Sequence, residues 1–253
     1  MTSQQTAPAL VPAFAPSGTL RASINLGNPI LANRAPAGGD PVGVSIDLAY
    51  EFGRRLGVPV ELVVFEKAAA SVDAVRAEKA DIGFFAVDPA RSEGLLFTAP
   101  YVLIEGSYLV PESSALTENG QVDREGTRIS VGSGSAYDLF LTRAIQHAGI
   151  IRLQGAPAAL AALREGEVEV AAGIRQLLEG EAARASGVRV LPGRFMVIQQ
   201  AMGIPAARGR AAQEVLASFV EEMKASGFVA DALERHRIEG ALVAPAAQPS
   251  SSS

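Results

Sequence analysis

The chain has 253 residues, with 22 Lys and Arg against 27 Asp and Glu for a net charge of −5, and it contains neither Cys nor Trp. Without thiols there is no disulfide framework, no thiolate metal site and no Cys nucleophile, and two lone His (His147 and His236) do not suit a His-rich metal centre or a Ser-His-Asp triad. The acidic balance lacks the basic face that nucleic acid requires, while 48% hydrophobic and 19% charged residues make a globular composition.

The length accommodates one large domain or two of about 100–150 residues each. Residues 1–17 carry Pro8, Pro12 and Pro16 and read as an extended or disordered leader. No Lys or Arg precedes Arg21 and the prolines break the apolar run, so no secretory signal is expected there. TLRASIN reads as a short strand, and the Gly-, Pro- and Asn-rich stretch GNPILANRAPAGGDPVG as a loop. SIDLAYEFGRRL, with apolar Ile46, Ala49, Tyr50 and Leu56 between charges, predicts a helix capped by Gly57. VPVELVVF predicts a strand, AAASVDAVRAEKA a helix and DIGFFAVD a buried strand. Strand and helix alternating in this way is the pattern of βαβ units on a parallel sheet.

From Tyr101 the apolar run YVLIEGSYLVPESS is long enough to pass from one domain to another. A second α/β set follows. TRISVGSG predicts a strand and glycine turn, SAYDLFLTRAIQHAG a helix starting at Ser135, and GAPAALAALREGEVEVAAGI a helix and strand. VRVLPGRFMVIQQAMGIP returns as strand and loop. Two helices close the chain, the first with an apolar stripe at Val215, Leu216, Phe219, Val220 and Met223. Residues 241–253, rich in Ala, Pro and Ser, read as a disordered tail. No internal repeat is visible, and no window reaches the ~18 uninterrupted apolar residues of a membrane span.

Several of these segments, in this order and spacing, resemble the type II solute-binding proteins of ABC importers, in the family of amino-acid receptors. The segments are GTLRAS, then PVGVSIDLAYEFGRRLGVPVEL, AVRAEKADIGFFAVDPARSEGLLFTAPY, ISVGSGSAYDLFL and EEMKASGFVADALERH. The resemblance runs from about Gly18 to His236. It implies an α/β, two-lobed, periplasmic-binding-protein-like type II fold, each lobe a mostly parallel sheet flanked by helices. Lobe 1 would be residues 18–104 plus 200–240 and lobe 2, the insert, residues 105–199, joined by a two-strand hinge. The ligand would lie in the cleft and close the lobes by hinge bending.

The resemblance also carries site residues. It places Arg91 where the family pairs a ligand carboxylate, a role that suits the planar guanidinium fork; the alternative is a surface Arg after a turn. Ser133 and Ser135 lie in the glycine turn that opens a helix, where N–H groups and the helix dipole favour an anion; Ser135 reads equally as an N-cap. GSGSAY is not a dinucleotide fingerprint, because Tyr137 occupies the last glycine position. Tyr137 is the aromatic expected near the cleft. Asn25 and Asn28 stand where amino-acid receptors commonly have an acidic and an aromatic residue, and also suit ordinary turn chemistry. Ala86 replaces a frequent hydroxyl, and Gln199 and Gln200 are ligand contacts or hinge hydrogen bonds. Glu105, Lys67 and Tyr101 are cleft-edge candidates with structural alternatives.

The most informative departure is at Gly173-Ile174-Arg175, where amino-acid receptors usually have Gly-Asp, the Asp receiving the ligand's ammonium. A buried ammonium without a carboxylate partner is costly. The expected ligand is therefore a carboxylate other than a standard α-amino acid. Arg175 either adds a second positive group, suiting a dicarboxylate or another anion, or points to solvent.

The function expected is capture of a small anionic solute for ABC permease subunits, by a monomer, without covalent chemistry, cofactor, metal or nucleic acid. The alternatives are a cyclohexadienyl-dehydratase-like enzyme, for which Glu105 or Glu169 would have to serve as acid, and a cytoplasmic ligand-sensing module. The family implies a periplasmic location, and a chain without a signal suits a cytoplasmic one.

Overall fold

A computed structural model describes residues 11–35 and 38–248. Contacts divide the chain into two units, residues 1–102 with 199–253, and residues 103–198.

Unit 1 begins with a short helix α1 (Val11–Phe14), within the stretch expected to be an extended leader. Phe14 is fully buried, its ring edge-on to Phe52 at 4.9 Å, and Phe52 in turn meets Phe219 at 4.9 Å. Burial of an aromatic ring of this size is what orders the segment; residues 1–10 lie outside the described residues. Strand β1 (Leu20–Asn25) follows, then helix α2 (Val44–Leu56). Gly57 ends α2 in the left-handed conformation (φ 72°), and Val58 N–H reaches back to the Gly53 carbonyl at 3.1 Å. Strand β2 (Val60–Phe65), helix α3 (Ala68–Arg76) and strand β3 (Ile82–Ala86) complete two parallel crossovers, with Asn25 opposite Phe65 and Ser23 opposite Gly83. Helix α3 stops earlier than its sequence suggests. Glu78 adopts φ 55° and Lys79 N–H bonds the Ala74 carbonyl at 2.8 Å. This is a glycine-type stop built with Glu, which composition does not signal.

Strand β4 (Leu95–Pro111) carries the chain from unit 1 into unit 2. There, strand β5 (Arg128–Gly132), helix α4 (Ala136–Ala144), strand β6 (Gly149–Leu153), helix α5 (Ala156–Arg164), strand β7 (Val170–Ile174), helix α6 (Arg175–Arg184) and strand β8 (Val188–Val190) follow. β5 is parallel to β6 and β7, and β4 is antiparallel to β7 and β8. The unit packs around Leu109, Leu163, Val168, Ala171 and Leu178. The sequence reading extends α4 to residue 149 and omits β6 and α6. Helix α4 ends early because the Asp123 carboxylate takes the N–H groups of Gln146, His147 and Ala148 at 2.7–2.9 Å. β6 is a largely exposed strand, and α6 buries only Leu178 and Glu181. Neither shows a strong periodic signal.

Strand β9 (Met196–Pro205) returns the chain to unit 1, antiparallel to β3 with Ala86 opposite Gln200. Helices α7 (Gly209–Ala225) and α8 (Phe228–Arg235) close the unit. Of the predicted stripe, Leu216, Phe219, Val220 and Met223 are buried and Val215 is half-buried. The expected tail is ordered at its start: strand β10 (Leu242–Val243) pairs with β4, and Ala244 is buried with its N–H on the Tyr101 carbonyl at 3.0 Å. Residues 249–253 lie outside the described residues. Among the described residues no helix is long and apolar enough to cross a membrane.

Candidate functional site

In open α/β sheets, ligands bind outside the carboxyl ends of the strands. In unit 1 those ends are Asn25, Phe65 and Ala86, aligned by the parallel register of β1 with β2 and β3. In unit 2 they are Gly132, Leu153 and Ile174 on β5, β6 and β7. Asn25, Asn28, Lys67, Ala86, Arg91, Ser133, Ser135, Tyr137 and Arg175 fall on or just after these ends, whereas Tyr101 and Glu105 lie within β4 and Gln199 and Gln200 within β9.

In unit 1, β3 ends at Ala86 and a single 3-10 turn, Pro89–Arg91, follows. Asp88 caps that turn by accepting the Ala90 N–H at 2.9 Å, and Pro89 fits the first turn position because it has no N–H to lose. Arg91 is only 5% exposed, so it is not a surface Arg. Its Nη1 donates to the Ala86 carbonyl at 3.2 Å. Burial lowers the guanidinium's pKa, and the Asp88 carboxylate opposes that shift; an Arg so placed is still a cation at neutral pH. Ala86 itself is 4% exposed and supplies a carbonyl rather than a side chain. Asn25 closes a turn, its Oδ1 accepting Gly27 N–H at 2.9 Å. The Asn28 carbonyl accepts Leu31 and Ala32 N–H at 3.1 Å each, while its Oδ1 is buried without a partner among the described residues. Gln199 is exposed and its carbonyl accepts Val87 N–H at 2.8 Å, whereas Gln200 is buried opposite Ala86. Tyr101 is fully buried with its hydroxyl 3.4 Å from Ser45 Oγ, and Lys67 is exposed just before α3. Tyr101 is thus a core residue.

In unit 2 the glycine turn is closely built. Gly132 has no room for a side chain: a Cβ there would stand 3.1 Å from the Gly155 backbone and 3.2 Å from the Tyr137 hydroxyl. Ser133 is exposed, its N–H on the Leu153 carbonyl at 2.9 Å. Ser135 is the N-cap of α4, its Oγ accepting Asp138 N–H at 3.1 Å. The Asp138 carboxylate is 4% exposed and reaches back to Gly134 N–H at 2.8 Å, completing a capping arrangement. Arg152 Nε donates to the same carboxylate at 2.9 Å. Tyr137 is 6% exposed, so it offers no face for stacking; burial raises its phenol pKa, and hydrogen bonds with Ser135 and Gly132 pull the other way.

Arg175 opens α6 and meets neither expectation set for it. Its Nε donates to Glu105 Oε2 at 2.7 Å, its Nη1 to Glu179 at 3.3 Å and its Nη2 to the Gly193 carbonyl. Arg194 holds the other Glu105 oxygen at 2.6 Å. Together Arg194 and Arg175 hold the Glu105 carboxyl below its usual range. Arg175 is therefore neither a solvent-facing nor an uncommitted cation. Glu169 likewise pairs with Arg128 at the start of β5. Ile174, where the resemblance would put an Asp, is 6% exposed. Asp88 and Asp138 were not singled out in the sequence. Their signals were local: Asp88 precedes a Pro, and Asp138 stands three residues after Ser135 in the S-x-x-D capping pattern. No cluster of metal-ligating residues occurs among the described residues.

The sequence profile of bacterial extracellular solute-binding proteins, family 3, matches residues 29–237. No match was found among curated protein sequences. Among solved structures, a solute receptor for L-cysteine of Neisseria gonorrhoeae is 22% identical with a TM-score of 0.76, covering 91% of this chain and 94% of that one. The binding component of an ABC transporter from Wolinella succinogenes, complexed with lysine, is 18% identical with a TM-score of 0.74, over 86% and 95%. An ancestral amino-acid-binding protein, a precursor of cyclohexadienyl dehydratase, is 19% identical with a TM-score of 0.72, over 89% and 98%. At these identities the structures attest the two-lobed fold alone; with the profile covering most of its length, the chain belongs to family 3 of the bacterial extracellular solute-binding proteins.

Proposed function

We propose that this solute-binding protein captures a small monocarboxylate lacking an α-ammonium group and delivers it to an ABC permease. The observation that carries the reading is Ile174. It puts a buried aliphatic side chain at the end of β7, where an ammonium would need a carboxylate. Glu105, next to the β4 residue opposite Ile174, is already matched by Arg175 and Arg194, and Asp138 in the glycine turn is matched by Arg152. Arg91 is the cation that would bind the ligand carboxylate, in a desolvated setting where two charge-assisted hydrogen bonds are strong. Arg175, committed to Glu105, does not supply the second charge of a dicarboxylate site, so the expectation narrows to one carboxylate. Binding rather than catalysis suits this arrangement, because an elimination needs a positioned acid and the acids weighed for it, Glu105 and Glu169, are each paired with Arg. The neighbouring structures named for cysteine and lysine set the competing reading, an α-amino acid ligand.

A thermal-shift screen of monocarboxylates, dicarboxylates and the common L-amino acids tests this. Monocarboxylates without an α-amine should give the largest rise in melting temperature. A largest shift from a standard amino acid would refute the reading.

A further inference from the structure

An apolar row crosses the end of β7. Gly106 of β4 stands directly opposite Ile174 in the antiparallel register, and on its β9 side the Phe195 N–H donates to the Gly106 carbonyl at 3.0 Å. Residues directly opposite in such a pair present their side chains to the same face of the sheet. At Gly106 that face has no side chain, and the Phe195 ring takes the space: a Cβ there would stand 3.1 Å from the ring and 2.7 Å from Met196 Cγ. Tyr108, two residues on and opposite Ala172, shares the face. Its ring stacks on Phe195 at 4.3 Å, and the Phe140 ring of α4 lies 5.9 Å from that of Phe195. Tyr108 is buried, whereas Phe195, Phe140 and Met196 are half-buried and keep part of their surface outside. The backbone that carries the Phe195 ring is held from several directions. Asn119 Nδ2 donates to the Pro192 carbonyl at 3.2 Å, and Ser107 Oγ and Arg175 Nη2 both donate to that of Gly193. A side chain fixed in advance loses little freedom when a ligand covers it.

We infer that Phe195 is a specificity-determining residue: with Ile174 it forms an apolar wall that takes the hydrocarbon body of the solute, so the preferred monocarboxylate carries an alkyl chain or an aryl ring. The inference rests on the monocarboxylate reading and deepens it. The reading that puts the solute at Ile174 puts it next to Gly106 and the ring that covers Gly106. A short acid leaves the outer part of that ring in water. A longer acid removes it from water, which is favourable in proportion to the apolar area covered. An aryl acid adds ring-to-ring contact.

The unaltered full chain supplies the first arm of the test. Calorimetric titration gives affinities for the straight-chain acids from propionate to hexanoate and for phenylacetate. Each added methylene should tighten binding about threefold to fourfold until the wall is covered, and phenylacetate should bind about tenfold more tightly than propionate. A flat series among acids that do bind overturns the inference and leaves the monocarboxylate reading in place. If no monocarboxylate binds, that reading falls, and the role given to Phe195 falls with it. The second arm is Phe195→Ala. The gain per methylene should drop below about twofold while propionate affinity stays within about twofold. A ring that only shields a strand glycine would leave the chain-length dependence unchanged, and that result overturns the assignment. Should Phe195→Ala fail to fold, Phe195→Leu keeps an apolar side chain against Tyr108. In it the alkyl series should persist and phenylacetate should lose about threefold, the scale of one aromatic pair. An undiminished preference for phenylacetate in Phe195→Leu overturns the inference equally.

Discussion

Each unit places an arginine just after a parallel strand, and the two do different work. Arg91 in unit 1 is buried, follows β3, and donates to a carbonyl at 3.2 Å. Arg175 in unit 2 directly follows β7 and is tied to Glu105, Glu179 and the Gly193 carbonyl. Arg175 connects β4, α6 and the segment before β9, and is therefore part of the scaffold of unit 2. Arg91 lies in the turn that Asp88 caps. The same residue type after two parallel strands is thus buried in a turn in one unit and tied into an ion-pair network in the other, and the proposed recognition falls to the first.

Four substitutions probe that contrast. The largest effect is expected from Arg91→Met, which keeps apolar volume and removes the charge. Monocarboxylate affinity should fall about 100-fold, the scale of losing one partner of a desolvated charge pair. Calorimetric titration reads this directly, and retained affinity would take Arg91 out of the site.

Arg175→Gln should do the opposite. It breaks the bond to Glu105 and lowers stability by about 1 kcal/mol, a modest figure because the pair is partly solvated and Arg194 still holds Glu105. Solute affinity should change less than threefold. A large loss of affinity with an unchanged melting temperature would reverse the roles given to the two arginines.

The smallest effect concerns acid. Arg54, with Arg55, pulls the Glu51 carboxyl of α2 down to about 2, and Arg194 with Arg175 lowers that of Glu105. A carboxyl depressed in the folded state contributes stability that is complete above its unfolded value, about 4.3, and that is lost as pH falls through the folded value. Glu51→Gln should therefore remove about 1–2 kcal/mol at pH 7 and flatten the stability curve between about pH 4.5 and 2. Glu105→Gln should show the same sign with a smaller amplitude. Urea denaturation across this pH range measures both. If neither curve flattens, the ion pairs are not stabilising.

Much of the fold was legible in the chain, because it rests on local signals. The β-branched runs of β2, the apolar spacing and Gly57 cap of α2 and the buried run of β3 each declare an element within about ten residues. The capping pattern at Ser135 locates the start of α4 in the same way. Three of the misses share one cause, a partner distant in the chain. α4 ends where Asp123, more than twenty residues upstream, captures three N–H groups. Residues 11–14 form a helix in the expected leader because Phe14 finds Phe52. The stretch after β9 and α8 gains β10 because β4 offers an edge.

By itself the sequence determined the α/β architecture, the positions of Arg91 and Ser135 at strand ends, and the missing carboxylate at Ile174. Those depend on residue identity and short-range order. The tertiary structure decided which charges are committed. Glu105 and Arg175 are 70 residues apart, and Glu105 and Arg194 are 89 apart. It also decided that Tyr137 is buried instead of offering a ring to the solute. Pairing between distant residues is set by the packing of strands that local preference cannot specify. The polarity of a binding site depends on that pairing as much as on the residues that line it.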